Sequence, residues 1–283
     1  GGNAGALVLF GWGLFEFNGV VKVKIKVALG QFNIQFAQPA ANRTRVRELV
    51  AAAADGEADV VVLPEMWNTG YALDKLPALA DEGGQETLAL LQELARQYQV
   101  GIVGGSVAVK IGPHFVNRTL VVDPLGNLLG QYDKVHLFGL MAEDQYLQAG
   151  NQENYFRLAG VPSASFICYD LRFPEWIRTV ARHGTDLLYF PAEWPAVRIP
   201  QWEILLRARA VENQCFVVAV NRVGDDPDNH FNGHSLVIDP LGRVIADAGE
   251  RDGVIFAEID LDQLGTVRGP IPVFVDRRPE LYK

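Results

Sequence analysis

Cysteine and methionine are nearly absent from this chain, two of each in 283 residues, and histidine occurs only five times. Two cysteines cannot build a disulfide framework, so a reducing, cytoplasmic setting is the expectation. Bases are outnumbered, 25 against 34 acids, and the formal net charge of −9 speaks against nucleic acid as a partner. The apolar N-terminal stretch, residues 5–15, is stopped by Glu16 and has no basic residue ahead of it. It falls well short of the roughly 18 residues of a membrane span and is read neither as an anchor nor as a signal peptide. No low-complexity tract or linker divides the chain. With 49% hydrophobic and 21% charged residues it has the composition of an ordinary globular protein, and its partner is expected to be a small molecule. Residues 1–20, crowded with glycine, are read as an extension outside the fold, and residues 21–283 as a single domain.

The pattern becomes legible at Val21. Val21, Val23, Ile25, Val27 and Leu29 alternate with Lys22, Lys24 and Lys26, the period of a strand with one wet face. Residues 41–54 carry Val46, Leu49, Val50 and Ala53 at helical spacing, behind Asn42 or Thr44 as candidate caps. A short apolar strand at 60–63, a helix at 85–98 and a strand at 101–109 follow. This alternation favours an α/β layer architecture. Further on, strand-rich blocks occupy 118–134 and 155–168, helices 174–183 and 200–213, and strands 186–190, 215–223, 233–238, 243–248 and 254–259. Leu120-Val-Val-Asp-Pro-Leu-Gly126 is echoed by Leu236-Val-Ile-Asp-Pro-Leu-Gly242. Either good hairpin-turn chemistry is used twice, or two pseudo-equivalent halves form two facing sheets. Both readings give a two-sheet domain flanked by helices.

Cys168 ends an apolar strand just ahead of Pro174, which is well placed to open a helix. A strand turning into a helix exposes its corner residue and free backbone N–H groups, so Cys168 is placed like a nucleophile. Cys215, within Cys-Phe-Val-Val-Ala-Val, has the surroundings of a buried hydrophobe. None of His114, His136, His183, His230 and His234 shows the signature of a base paired to a thiol. His230 and His234 with Asp226 and Asp228 make a weak metal-site pattern, because they lie in a loop and not on a helix face. Glu65 and Lys134 share the placement of Cys168 at carboxyl ends of strands, where open α/β sheets put their ligands. Glu, Lys and Cys thus form a candidate constellation.

These residues resemble the motifs of a known family. Leu63-Pro-Glu-Met66, Tyr132-Asp-Lys-Val-His-Leu-Phe138 and Ile167-Cys-Tyr-Asp-Leu-Arg-Phe-Pro-Glu175 are similar to the three ordered motifs of the nitrilase superfamily of carbon–nitrogen hydrolases. Residues 207–214 and the tail at 271–282 look most like its omega-amidase branch, whose members act on small ω-amides such as 2-oxoglutaramate. The resemblance implies an α-β-β-α sandwich of two facing mixed sheets, a homodimer of eight layers or a higher oligomer, and no metal or organic cofactor. It assigns Glu65 as general base and acid, Lys134 as stabiliser of the tetrahedral intermediate, Cys168 as the nucleophile that forms a thioester, and Glu143 as the second glutamate. Glu143 lies nine residues after Lys134, a spacing two longer than in some relatives. The Tyr169 backbone N–H is expected to help hold the oxyanion. Arg172 is a candidate clasp for a substrate carboxylate, and Phe138, Glu193 and Trp194 are candidate pocket walls. Nitrile or N-carbamoyl substrates, and a pseudoenzyme that only binds ligand, stand as alternatives.

Overall fold

The computed structural model describes residues 23–282, so the reading of residues 1–20 lies outside the described residues. In chain order the first part comprises β1 (Lys24–Gln31), α1 (Pro39–Asp55), β2 (Val60–Val62), α2 (Leu76–Leu79), β3 (Asp81–Glu82), α3 (Gln85–Tyr98), β4 (Gly101–Val103), β5 (Val107–Ile111), β6 (His114–Val122), β7 (Leu128–Asp133) and α4 (Glu143–Tyr146). The second comprises β8 (Tyr155–Leu158), β9 (Val161–Ser165), α5 (Pro174–Ala181), β10 (Leu187–Pro191), α6 (Ile199–Asn213), β11 (Phe216–Val220), β12 (Val223–Asp225), β13 (His230–Asn232), β14 (Leu236–Ile238), β15 (Val244–Asp247), β16 (Gly253–Asp260) and α7 (Gln263–Arg268).

Two mixed sheets face each other. One runs β16-β1-β2-β4-β6-β5-β3, with β7 also paired to β6, and the other runs β15-β14-β11-β10-β9-β8. Val27, Leu29, Val60, Val62 and Val121 from the first meet Leu187, Tyr189, Phe216, Val218 and Val237 from the second in a dry layer between them. On the outer face of the first sheet, Ala28, Val61 and Ile102 are covered by Val46, Leu49 and Val50 of α1 and Leu91 and Leu94 of α3. On the outer face of the second, Leu188, Phe190 and Val217 are covered by Ile177 and Val180 of α5 and Trp202 and Leu206 of α6. This is the expected α-β-β-α sandwich. Its central strands are buried on both faces, which is why they read as continuous apolar runs. Among the described residues no helix is long and apolar enough to cross a membrane.

The repeated heptapeptide is a structural repeat. In the first sheet β1, β2 and β4 run parallel and β6 is antiparallel to them. In the second, β9, β10 and β11 run parallel and β14 is antiparallel. Each set ends in a hairpin, β6–β7 or β14–β15, with a register shift just before the repeated aspartate. Asp123 Oδ1 accepts the N–H groups of Leu125 and Asn127, and Asp239 Oδ1 those of Leu241 and Arg243. Gly126 and Gly242 take φ of 80° and 79°, where a Cβ is strained. Turn chemistry and pseudo-equivalent halves are therefore both present.

Several expectations need correction. Pro39 opens α1, and Asn42 is no cap: buried inside the helix, it accepts from the Gln35 N–H and donates to the Gln35 and Asn68 carbonyls. Thr44 bonds back to the Ala40 carbonyl within the helix. The wet face of β1 ends at Lys26, because Ala28 and Gly30 lie beneath α1. The strand expected at 101–109 is two, broken at Gly104-Gly105-Ser106, with β4 beside β2 and β5 beside β6. The block at 155–168 is the β8–β9 hairpin, and Cys168 begins a short 3-10 turn, Cys168–Arg172, three residues beyond the end of β9. The expected strand at 215–223 divides into β11 and the start of β12.

Candidate active site

Three loops bring the constellation together. Glu65 follows β2, Lys134 follows β7, and Cys168 begins the turn between β9 and α5. Glu65, Lys134 and Glu143 are all sealed from solvent. The Lys134 ammonium donates to Glu65 Oε1 at 2.8 Å and lies 2.8 Å from both oxygens of Glu143. Glu143 opens α4, and its Oε2 also accepts the Phe138 N–H at 2.6 Å. The nine-residue spacing therefore delivers Glu143 to the site. Glu65 Oε1 accepts from Asn117 Nδ2 at 2.9 Å, and Oε2 from the Glu193 N–H at 2.8 Å.

Close backbone approaches hold these loops. Gly105 lies against the Pro64 carbonyl behind Glu65, at φ 60°, and Gly150 donates to the Lys134 carbonyl where a side chain would strike Asp133. Cys168 itself has φ 46°, Met66 beside Glu65 has 48° and Ala142 before Glu143 has 59°. Left-handed backbone at non-glycine residues costs about 1–3 kcal/mol each and collects at functional sites. Asp170 buttresses the Cys168 turn: it accepts from the Ile167 N–H, the Tyr132 hydroxyl and the His136 N–H, and lies 2.7 Å from His136 Nδ1.

The electrostatics follow from this packing. Burial opposes the Lys134 charge, but Glu143 and Glu65 outweigh it and hold the ammonium well above its ordinary range. Burial lifts the Glu143 carboxyl, against the pull of Lys134. Burial and then the charge of Glu65 push the Cys168 thiol far up, with Lys134 opposing, so Cys168 rests as a thiol. Cys215, buried among core residues in the second sheet, is pushed up to about 12 by burial.

Cys168, Tyr169, Arg172, Phe138, Glu193 and Trp194 line one pocket. With Glu193 bonded through its N–H to Glu65, the nine residues that the resemblance assigned fall at one place. Arg172 stacks on the Trp194 ring, 5.0 Å from its centroid. The Glu193 carboxyl is buried, 3.4 Å from Arg222, with Oε1 unpartnered, and burial raises it to about 8. Sequence reasoning missed three residues. Tyr71 stands 2.7 Å from Glu65 Oε1 and 2.8 Å from Glu143 Oε1, and its one hydroxyl proton serves one of them at a time. No local pattern marked it. Asn117 is a fully buried polar residue of β6, but with Arg118 and Thr119 beside it in the sequence nothing local marked it. Arg198 lies on the Phe138 ring at 5.8 Å and lines the same pocket.

The weak metal pattern does not assemble. His230 pairs with Asp225 and His234 with Asp247, and among the described residues no group of three or more His, Cys, Asp or Glu could hold a metal ion.

Residues 26–269 match the carbon-nitrogen hydrolase family model, which spans the site and both sheets. The chain belongs to this family. The hydrolase is 46% identical over 260 residues to the 2-oxoglutaramate amidase of Bacillus subtilis (strain 168), covering 92% of this chain and 100% of that protein. It is 33% identical to the omega-amidase NIT2 of Homo sapiens, over 85% of this chain and 91% of that one. Among solved structures it is similar to a CN-hydrolase superfamily protein from Xanthomonas campestris with an arsenic adduct in its active site. There the TM-score is 0.84 at 35% identity, over 90% and 97% of the two chains. Saccharomyces cerevisiae Nit3, a nitrilase superfamily member, gives a TM-score of 0.84 at 29% identity, over 92% and 100%.

Proposed function

We propose that this hydrolase is an amidase cleaving small ω-amides of dicarboxylic acids, such as 2-oxoglutaramate, through a Cys168 thioester. The observation that carries the reading is the buried Lys134 ammonium shared by Glu65 and Glu143 in the site that Cys168 enters on a left-handed turn. The Cys168 sulfur attacks the amide carbon while Glu65 takes the thiol proton. The oxyanion is held by Lys134 and the Tyr169 backbone N–H. Glu65 then gives its proton to the nitrogen, the C–N bond breaks and ammonia leaves. Water adds to the thioester as Glu65 takes its proton, the C–S bond breaks, and the proton returns to sulfur as the acid departs. Glu143 keeps Lys134 charged and fixed, and Arg172 meets the far carboxylate. The similarity to the amidases supports amide over nitrile or carbamoyl substrates. The test is ammonia release from matched amide, nitrile and carbamoyl compounds together with intact mass. Cys168→Ala should abolish both turnover and the acyl adduct, and retained turnover refutes the cysteine mechanism. Because that thiol must stay reduced, we place the enzyme in the cytoplasm.

We further propose that a second copy of the chain covers the outer face of α6. Ile204 and Val211 are exposed there, and Val211 abuts Gly242 while Gln214 bonds the Ile271 carbonyl. Leu241, next to Gly242, and Ile271 therefore extend the same apolar surface. Sedimentation should show a dimer that Val211→Asp weakens; a monomer at micromolar concentration would refute it.

A further inference from the structure

The pocket holds two guanidinium groups, and the mechanism above uses only one. Arg198 and Arg172 both line it beside Cys168. Each is half-buried and lies on an aromatic wall, Arg198 on Phe138 and Arg172 on Trp194. Among the described residues neither side chain has a carboxylate partner or a hydrogen bond, although acids outnumber bases in the chain. Arg198 is also held in place. The Trp194 indole N–H donates to its carbonyl at 2.8 Å, and the Trp194 backbone is locked on both sides by Asn221.

The reacting end of the site carries the opposite charge. Glu65 and Glu143 outnumber Lys134 there, so a carboxylate pushed toward Cys168 meets two buried acids, where like charges repel strongly. We infer that Arg198 is a specificity-determining residue, pairing with Arg172 to hold the far carboxylate of an ω-amide so that only its neutral amide end reaches Cys168. The two arginines thus set both the substrate class and its direction of entry. This rests on the amidase reading, so binding and turnover are measured separately.

Calorimetry on Cys168→Ala with glutaramate, the monoamide of glutaric acid, and with the uncharged pentanamide reads recognition without chemistry. The expected preference for glutaramate is at least about tenfold, and adding Arg198→Gln should remove most of it, as loss of a charged hydrogen-bond partner does. Arg198→Lys, which keeps the charge, should retain part of the preference and guards against a folding artefact. In the otherwise wild-type enzyme the change should appear in KM more than in kcat. Arg198→Glu should turn kcat/KM toward the cationic 5-aminopentanamide. An unchanged glutaramate-to-pentanamide ratio in Arg198→Gln, or an equal loss on all three amides in Arg198→Glu, overturns the assignment. Intact, Arg198-dependent binding without ammonia release from the wild type would instead overturn hydrolysis and leave the carboxylate subsite standing.

Discussion

The backbone N–H of Glu193 donates to Glu65 Oε2 at 2.8 Å, joining the ends of β2 and β10. These are the corresponding central strands of the two sheets. Each leads into a proline and then a glutamate, Pro64-Glu65 after β2 and Pro191-Ala192-Glu193 at the end of β10. The two glutamates have diverged in environment. Glu65 faces Lys134, whereas the Glu193 carboxyl has only a distant guanidinium and one unpartnered oxygen.

That difference predicts a pH-dependent stability. Burial raises the Glu193 carboxyl from 4.5 to about 8, although Arg222 opposes it. Between these values the native state keeps a proton that the unfolded chain has released. The contribution of this carboxyl to stability therefore falls as pH rises through the window and is fully lost above about pH 8. Arg222 does not depend on the carboxylate for its hydrogen bonds, since it donates to the Ile34, Val223 and Asp225 carbonyls. Glu193→Gln should flatten the dependence and leave the variant more stable than the wild type above pH 8, on the order of a few kcal/mol by the size of such shifts. Denaturant midpoints from pH 5 to pH 9 give the comparison, and parallel curves would contradict it.

Tyr71 joins the two catalytic-site carboxylates. Burial, then Glu143, then Glu65, hold its hydroxyl well above the ordinary phenol range, so it remains a neutral donor at every working pH. Tyr71→Phe leaves both carboxylates without that proton. A roughly tenfold loss in kcat is expected, the net worth of about one hydrogen bond. KM should move less, because Tyr71 is not a pocket wall. A rise in KM with unchanged kcat would place Tyr71 in binding instead.

Much of this site was legible because its chemistry sits in contiguous motifs. Glu65, Lys134 and Cys168 each come just after a strand of the sandwich, although the strands end one to three residues sooner than hydrophobic periodicity suggests. The helix start at Pro174 and the paired Asp-Pro-Leu-Gly turns follow from local backbone chemistry. What escaped was decided across the molecule. Asn42 has the composition of a cap, but the Gln35 and Asn68 backbone takes it into the interior. Lys26 and Ala28 alternate alike along β1, and only the position of α1 decides which is covered. Tyr71 and Arg198 reach the site from segments with no pattern of their own, so only the folded chain brings them to Glu65 and Phe138.

Lys134 is the only cation bonded to Glu65 and Glu143 among the described residues. Lys134→Met should cost about 3–5 kcal/mol, because breaking a buried ion pair leaves its charges uncompensated. Lys134→Met combined with Glu143→Gln should recover part of that loss while remaining inactive. Chemical denaturation of the four members of this cycle measures the coupling. Additive losses would show that the two side chains do not act as a pair.

Glu65 and Lys134 pull the Cys168 thiol in opposite directions, and the signs can be separated. Burial and the Glu65 charge raise it, while Lys134 lowers it. Ultraviolet titration of the thiolate should therefore move to lower pH in Glu65→Gln and to higher pH in Lys134→Met. Cys215→Ala serves as the background, so that one thiol is read. Amide turnover should fall by at least about 100-fold in both variants, since in the proposed mechanism one loses its proton shuttle and the other its oxyanion partner. Glu65→Gln would thus hold more thiolate and yet be slower. That combination requires the proton on Glu65, and not thiolate supply, to limit cleavage of the C–N bond. If Glu65→Gln instead gained activity along with thiolate, the enzyme would work through a standing ion pair and the proton path through Glu65 would be wrong.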